Sequence, residues 1–254
     1  MNVELLRSCV GDRVACQYLT CYRINANVAI DAGSLGFHGA SGEQEAIRHV
    51  FLTHSHIDHI AGLPALLENT YGFTGEPVTV YGLAHTLDSL RRDVFNNRLY
   101  PDLSSLKPAF GWFREVKVGE TIEVEGLRFT PFPLEHPVPT VGYRIESDAG
   151  AVLIVTDTRV SPLIGEAVAA TRRLLGVYLE CAFPNEFDTL AHISGHLTSE
   201  QFLAEARRVP PGVPVLAVHV KGRYFDRVEA ELRAGGLPDV ALCEPGRVYR
   251  FGGE

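Results

Sequence analysis

Positive charge is scarce in this chain: 23 Lys and Arg against 31 Asp and Glu leave a net charge of −8. That balance disfavours broad attraction to polyanionic nucleic acid, which depends on basic side chains neutralising phosphates. A small anion remains open as a partner, because bound metal ions can supply local positive charge. Cysteine is sparse as well. Cys9, Cys16, Cys21, Cys181 and Cys243 are an odd number without a Cys-x-x-Cys pair, which argues against a disulfide framework, and we read them as free thiols that bind no metal. Long apolar runs are missing too. Blocks such as Val152-Leu153-Ile154-Val155 fall far short of the roughly 18 to 20 residues a membrane-spanning helix needs, so no membrane partner is expected. The opening Met1-Asn2-Val3-Glu4-Leu5-Leu6-Arg7 lacks the basic-then-apolar layout of a secretory signal, and the expected compartment is the cytoplasm.

What is present is enough apolar material for a sizeable core: 46% of 254 residues are hydrophobic, and we expect one domain over residues 1–254. Two β-rich runs, 14–25 and 28–31, flank the hairpin-like Asn25-Ala26-Asn27. A helix is expected over 43–49, a strand over 50–53, and a helix over 58–69 with Ile60, Leu63 and Leu67 at helical spacing. A strand at 78–81 and a helix at 85–95 follow. The stretch 96–112, with Pro101 and Pro108, reads as an irregular active-site wall and specificity loop. Residues 121–130, 141–146 and 152–156 are β-rich, the last two joined by Ser147-Asp148-Ala149-Gly150. Alternation then returns: helix 163–174, strand 177–180, helix 199–208, strand 213–218, helix 225–233 and two closing strands. Strand runs followed by helices, twice over, suggest two sheets with helices outside.

Ten histidines are the compositional oddity, and their placement carries the chemistry. His54-Ser55-His56-Ile57-Asp58-His59 lies between a predicted strand and a predicted helix, where side chains can turn toward a cleft on rigid supports. Imidazole and carboxylate suit zinc, manganese or iron, and four such groups in six residues exceed what one tetrahedral ion takes from a single loop. A two-metal site follows. His136, Asp157 and His219 each stand where a predicted strand ends. Lys221, two residues past His219, would project to the same side in an extended segment and meet a substrate phosphate. Phe95 and Trp112 are assigned to core packing, and Asn96 to reading a base.

The order of these groups resembles the metal-binding motifs of the metallo-β-lactamase superfamily over residues 31–221. By that resemblance the fold is an αββα sandwich of two mixed β-sheets flanked by helices. His54, His56 and His136 would bind the first of two divalent ions, Asp58, His59 and His219 the second, and Asp157 both. Zinc is the implied metal, with manganese or iron as alternatives. The run from Glu180 through Phe183-Pro184-Asn185 to Ser194-Gly195-His196-Leu197-Thr198 resembles the phosphodiesterase branch, in particular the class II cyclic-nucleotide phosphodiesterases. So does Val94-Phe95-Asn96-Asn97-Arg98-Leu99-Tyr100-Pro101-Asp102, with Tyr100 standing where that class has Trp. Ribonuclease Z shares the Glu180 and His196 pair and the stretch from His136 to Gly142-Tyr143-Arg144-Ile145.

The resemblance implies hydrolysis of a 3′,5′-cyclic nucleotide to a nucleoside monophosphate. Two divalent ions, if bound as the resemblance implies, would acidify the attacking water and draw charge from the phosphoryl oxygens. Asp58 would bind metal and orient that water, and His196, oriented by Glu180, would protonate the departing alkoxide. A homodimer is compatible with the resemblance. The rival activity is transfer-RNA 3′-end processing, against which the absence of a basic Gly/Pro-rich arm and the acidic balance both count. A noncatalytic ligand-binding scaffold is the third reading; binding alone would not require a water-activating pair.

Overall fold

The computed structural model describes residues 1–9, 16–72, 75–102 and 111–253. Fourteen strands among these residues form two seven-stranded sheets. The first contains β1 (Asn2–Leu5), β2 (Tyr22–Ile24), β3 (Val28–Ile30), β4 (His49–Phe51), β5 (Val78–Gly82), β6 (Gly111–Glu115) and β14 (Val248–Arg250), in the order β14-β1-β2-β3-β4-β5-β6. The second contains β7 (Ile122–Val124), β8 (Leu127–Leu134), β9 (Thr140–Glu146), β10 (Ala151–Val155), β11 (Leu174–Glu180), β12 (Val215–Val218) and β13 (Val240–Leu242), in the order β13-β12-β11-β10-β9-β8-β7. Both are mixed: β14-β1-β2-β3 and β7-β8-β9-β10 pair antiparallel, whereas β3-β4-β5-β6 and β10-β11-β12-β13 pair parallel.

Alternation along each strand explains the layering, because successive side chains leave a strand on opposite faces. On β10, Val152 and Ile154 enter the core between the sheets, and Leu153 and Val155 face the outer helices. Leu216 and Val218 of β12 point inward, and Val215 and Ala217 outward. Parallel strands covered on both faces need helices outside. Among the described residues the α-helices are α1 (Ser41–Glu45), α2 (Ile57–Ile60), α3 (Leu63–Thr70), α4 (Ala84–Ser89), α5 (Pro162–Ala169), α6 (Asp188–Ser194), α7 (Ser199–Ala206) and α8 (Phe225–Ala234). Leu63, Leu66 and Leu67 of α3 and Leu87 of α4 pack on Val50, Leu52, Val78 and Val80 of the first sheet. Ile164, Phe202, Leu203, Val228 and Leu232 do the same for the second. The result is the αββα sandwich.

Several boundaries differ from the sequence reading for identifiable reasons. The helix expected over 58–69 is two, α2 and α3, because Pro64 at the start of α3 offers no N–H to the preceding turn and its ring would crowd the carbonyl of Ile60. The helix expected over 43–49 is the shorter α1, followed directly by β4. The strand expected over 121–130 is broken into β7 and β8 by a turn with positive φ at Glu125 and Gly126. The helix expected over 163–174 stops at Ala169, and Leu174 already begins β11. Trp112 does not pack in the core: it stands on the edge strand β6 and is 56% exposed, whereas Phe95 is buried as expected. Residues 14 and 15 of the first expected β run, and 103–110 of the expected active-site wall, lie outside the described residues. Among the described residues, no helix is long and apolar enough to cross a membrane.

Candidate metal centre

The strand ends converge. His54 follows β4, His136 follows β8, Asp157 follows β10, Glu180 ends β11 and His219 follows β12. Four of these five strands belong to the second sheet, so the face-to-face packing of the sheets completes the cluster. His54, His56, His136 and Asp157 form one group and Asp58, His59, Asp157 and His219 another, each with one ligand atom per residue within 4.8 Å of the others. Asp157 is common to both. Its Oδ2 lies 3.7 Å from Nε2 of His54, 3.4 Å from that of His59, 4.0 Å from that of His136 and 3.5 Å from that of His219. The grouping coincides with the division implied by the resemblance.

The donor set suits divalent cations. Nε2 of His54, Nε2 of His59 and Oδ1 of Asp157 are buried without a hydrogen-bond partner. Each such atom costs about 1–3 kcal/mol unless something satisfies it, and a cation satisfies all three, since the carboxylate oxygen offers a lone pair and each imidazole does so in its neutral form. Burial lowers the pKa of His54 and His219 well below the usual range and pushes His136 down to about 4. Those three rings are neutral, the form that holds metal, whereas the Asp157 and Asp31 carboxylates outweigh burial and hold His59 well above the usual range, so its proton must leave before a cation binds there.

The opposite ring nitrogen is anchored in four of the five histidines. Nδ1 of His136 donates to the carbonyl of Gly195 at 2.9 Å. Gly195 ends α6 with φ of 76°, and a side chain there would meet His136 Nδ1 and the Pro137 ring, so only glycine can turn its carbonyl to the imidazole. Nδ1 of His54 meets Thr53 Oγ1 at 3.0 Å, and Nδ1 of His219 meets Thr20 Oγ1 at 3.2 Å. Nδ1 of His59 donates to Asp31 Oδ2 at 2.7 Å. His56 differs, its Nδ1 facing His136 Nε2 at 3.1 Å.

Asp31 follows β3 and carries no mark in the sequence pattern, yet it underlies both groups. Its carboxylate holds His59 directly and accepts from the hydroxyl and backbone N–H of Thr53, whose Oγ1 in turn meets His54. The one local sign is its left-handed backbone, φ 59°, unusual for a residue other than glycine. Asp31→Asn removes the charge that orients His59. Partners of metal-bound histidines typically contribute a factor of about 10–100 to affinity. We expect weakening of that order, read by competition with a chromophoric chelator on protein whose circular dichroism is unchanged.

Glu180 and His196 lie directly beside the cluster. His196 Nδ1 donates to Glu180 Oε1 at 2.9 Å, and the carboxylate also accepts from the backbone N–H groups of Thr158, Ala182 and Leu197. The ring stacks on His219, with centroids 5.2 Å apart, and sits edge-on to His136 at 5.3 Å. It therefore touches a member of each group. Burial disfavours the imidazolium, but the Glu180 carboxylate more than offsets this and holds His196 above the usual histidine range. The Ser194-Gly195-His196-Leu197-Thr198 motif now has a local reason. Gly195 ends α6, Thr198 caps α7 by accepting from the backbone N–H of Gln201, and His196 is fixed between the two ends.

Of the two expected substrate contacts, one joins the cluster. Lys221 Nζ lies 2.7 Å from His219 Nε2 and 3.7 Å from Asp58 Oδ2. Asn96 is committed to a turn instead: its Nδ2 donates to the carbonyl of Arg92, and its Oδ1 accepts from the backbone N–H groups of Arg98 and Leu99. Short polar side chains form such local turns readily, and the residue pattern alone did not distinguish this use from base reading.

Every member of the two groups falls within residues 27–220, which match the family model described as beta-lactamase superfamily domain, and the chain belongs to that family. It is 37% identical over 98 residues to ribonuclease Z of Methanopyrus kandleri, a match covering 39% of this chain and 31% of that protein. It is 27% identical over 207 residues to a 3′,5′-cyclic-nucleotide phosphodiesterase of Schizosaccharomyces pombe, covering 70% and 58%. The chain thus spans between about a third and somewhat over half of the length of these curated relatives. The crystal structure of unliganded yeast PDE1 superposes with a TM-score of 0.77 over 97% of this chain and 98% of that one, at 18% identity, which speaks for the fold alone.

Proposed function

We propose that the chain, as one hydrolase domain over residues 1–254, holds two divalent metal ions and hydrolyses the phosphodiester of 3′,5′-cyclic nucleotides to nucleoside monophosphates. The observation that carries this reading is the buried Glu180–His196 pair set against a cluster whose two ligand groups share Asp157. His54, His56 and His136 would hold one ion, Asp58, His59 and His219 the other, and Asp157 both, with zinc the first choice among zinc, manganese and iron. The chemistry such ions supply when bound is acidification of water and neutralisation of phosphoryl charge.

The remaining steps fall to the protein. Asp58, partly exposed at the edge of the cluster, orients the attacking water through its carboxylate. Lys221 meets a non-bridging phosphoryl oxygen with its ammonium group. His196, with Nδ1 bound to Glu180, keeps Nε2 for the leaving alkoxide and gives it a proton as the P–O bond breaks. A small substrate agrees with the net charge of −8, which opposes the long polyanion of a transfer RNA. The likeness to ribonuclease Z keeps RNA processing as the second reading.

A panel of 3′,5′-cyclic mononucleotides and a transfer-RNA precursor, assayed with zinc or manganese, separates the two. Turnover of a cyclic nucleotide is the expected result. Release of a 3′ trailer with no turnover on the panel would replace this reading with the second.

A further inference from the structure

His219 is held by a short segment far away in the chain. Its backbone lies in the left-handed region at φ 59°, which a residue with a Cβ rarely adopts unless its surroundings impose it. Two side chains of the segment 16–20 meet that residue. Gln17 Oε1 accepts the backbone N–H of His219 at 2.8 Å, and this fixes the Gln17 amide with its NH2 toward Thr20 Oγ1 at 3.1 Å. Thr20 Oγ1 in turn lies 3.2 Å from His219 Nδ1, closing a loop of three hydrogen bonds. Gln17, Thr20 and His219 are all buried.

The direction of the last bond follows from Lys221. Its ammonium has only donors and lies 2.7 Å from His219 Nε2, so Nε2 accepts and the ring proton sits on Nδ1, donated to Thr20. That is also the tautomer that leaves Nε2 a lone pair for a metal. The backbone of Thr20 extends the grip: its N–H donates to the carbonyl of Asp58 at 2.8 Å, and its own carbonyl accepts from Gly33 at 2.9 Å. Gly33 is glycine because a side chain there would overlap the Asp58 carbonyl and the Thr20 backbone. Asp58 and His219 both belong to the second ligand group. The first is anchored elsewhere, His54 on Thr53 and His136 on Gly195.

We propose that Gln17 and Thr20 are positioning residues for the second metal position alone, holding His219 in its strained backbone and in the metal-binding tautomer. This rests on the two-ion reading above. The test is metal titration. Thr20→Val keeps the volume and removes the hydroxyl, Gln17→Met keeps the length and removes the amide, and Thr20→Ser keeps the hydroxyl. With zinc and a competing chromophoric chelator, the first two variants are expected to bind one ion as the unaltered protein does. The second ion should bind roughly 10- to 100-fold more weakly, and Thr20→Ser should restore it. Cobalt in place of zinc gives a second readout, since the visible spectrum of the second ion should change and that of the first should not. Circular dichroism selects the folded variants, and either of the two carries the result. Folded variants that bind both ions with unaltered affinity would overturn the proposal, as would equal weakening of both. An unaltered protein that binds only one ion would instead overturn the two-ion reading on which it stands.

Discussion

Asp157→Ala is expected to reduce turnover of a cyclic nucleotide by at least about a thousandfold and to release metal from both positions. The reason is geometric. Asp157 Oδ2 is within 4.0 Å of Nε2 of His54, His59, His136 and His219, so one carboxylate separates four rings that converge on the same space. Burial opposes its charge, but the ring of His59, 3.4 Å away and itself held above the usual histidine range, favours it, and the pKa of Asp157 lies well below the usual carboxylate range. The ionised form is thus the one built into the site. Without it both ligand groups lose a member and the only negative charge they share. Metal ions in such sites contribute several kcal/mol of transition-state stabilisation, and each 1.4 kcal/mol is tenfold in rate. Metal analysis of the purified variant and steady-state rates check the two halves of the expectation. A variant that retained both ions and normal turnover would remove Asp157 from the site.

His196→Ala should give a loss of roughly a hundred- to ten-thousandfold, the range of a positioned general acid, with both ions retained. The choice of leaving group makes the test specific. Departure of a ribose alkoxide needs a proton, whereas p-nitrophenolate leaves as a stable anion. The loss should therefore be large on a cyclic nucleotide and small on bis(p-nitrophenyl) phosphate. Equal losses on both would point to a part for His196 in binding the phosphate instead. Glu180→Gln is not equivalent. The Glu180 carboxylate accepts from three backbone N–H groups besides His196, and an amide would turn donors toward donors. Lower thermal stability should accompany its loss of activity.

Much of the centre was legible because its defining contacts are local. His54, His56, Asp58 and His59 fall within six residues between a strand and a helix, and a motif so short keeps its meaning wherever the sheet lies. His136, Asp157 and His219 stood at the ends of predicted strands, and their order, together with the motif context of Glu180 and His196, acquired meaning through the family resemblance. Strand runs followed by helices pointed to two sheets with helices outside, and the family resemblance supplied the sandwich. Trp112 shows where this reasoning fails. Its aromatic ring argued for burial, but β6 is an edge strand, and which strand lies at an edge depends on pairings that local pattern does not encode.

By itself, then, the sequence determined the layered α/β architecture and the inventory of imidazoles and carboxylates, because period-two and helical alternation and a six-residue motif are properties of neighbouring residues. Only the tertiary structure decided what stands behind those groups. Asp31 reaches His59 across 28 residues, and Thr20 and Gln17 reach His219 across 199 and 202. Asp31 and His59 meet because β3 and β4 are neighbours in one sheet, whereas the contacts to His219 exist because the two sheets pack face to face and bring distant strand ends to one rim. A Thr, a Gln or a strand-end Asp carries no local mark that it will be the one to set the tautomer of a distant histidine.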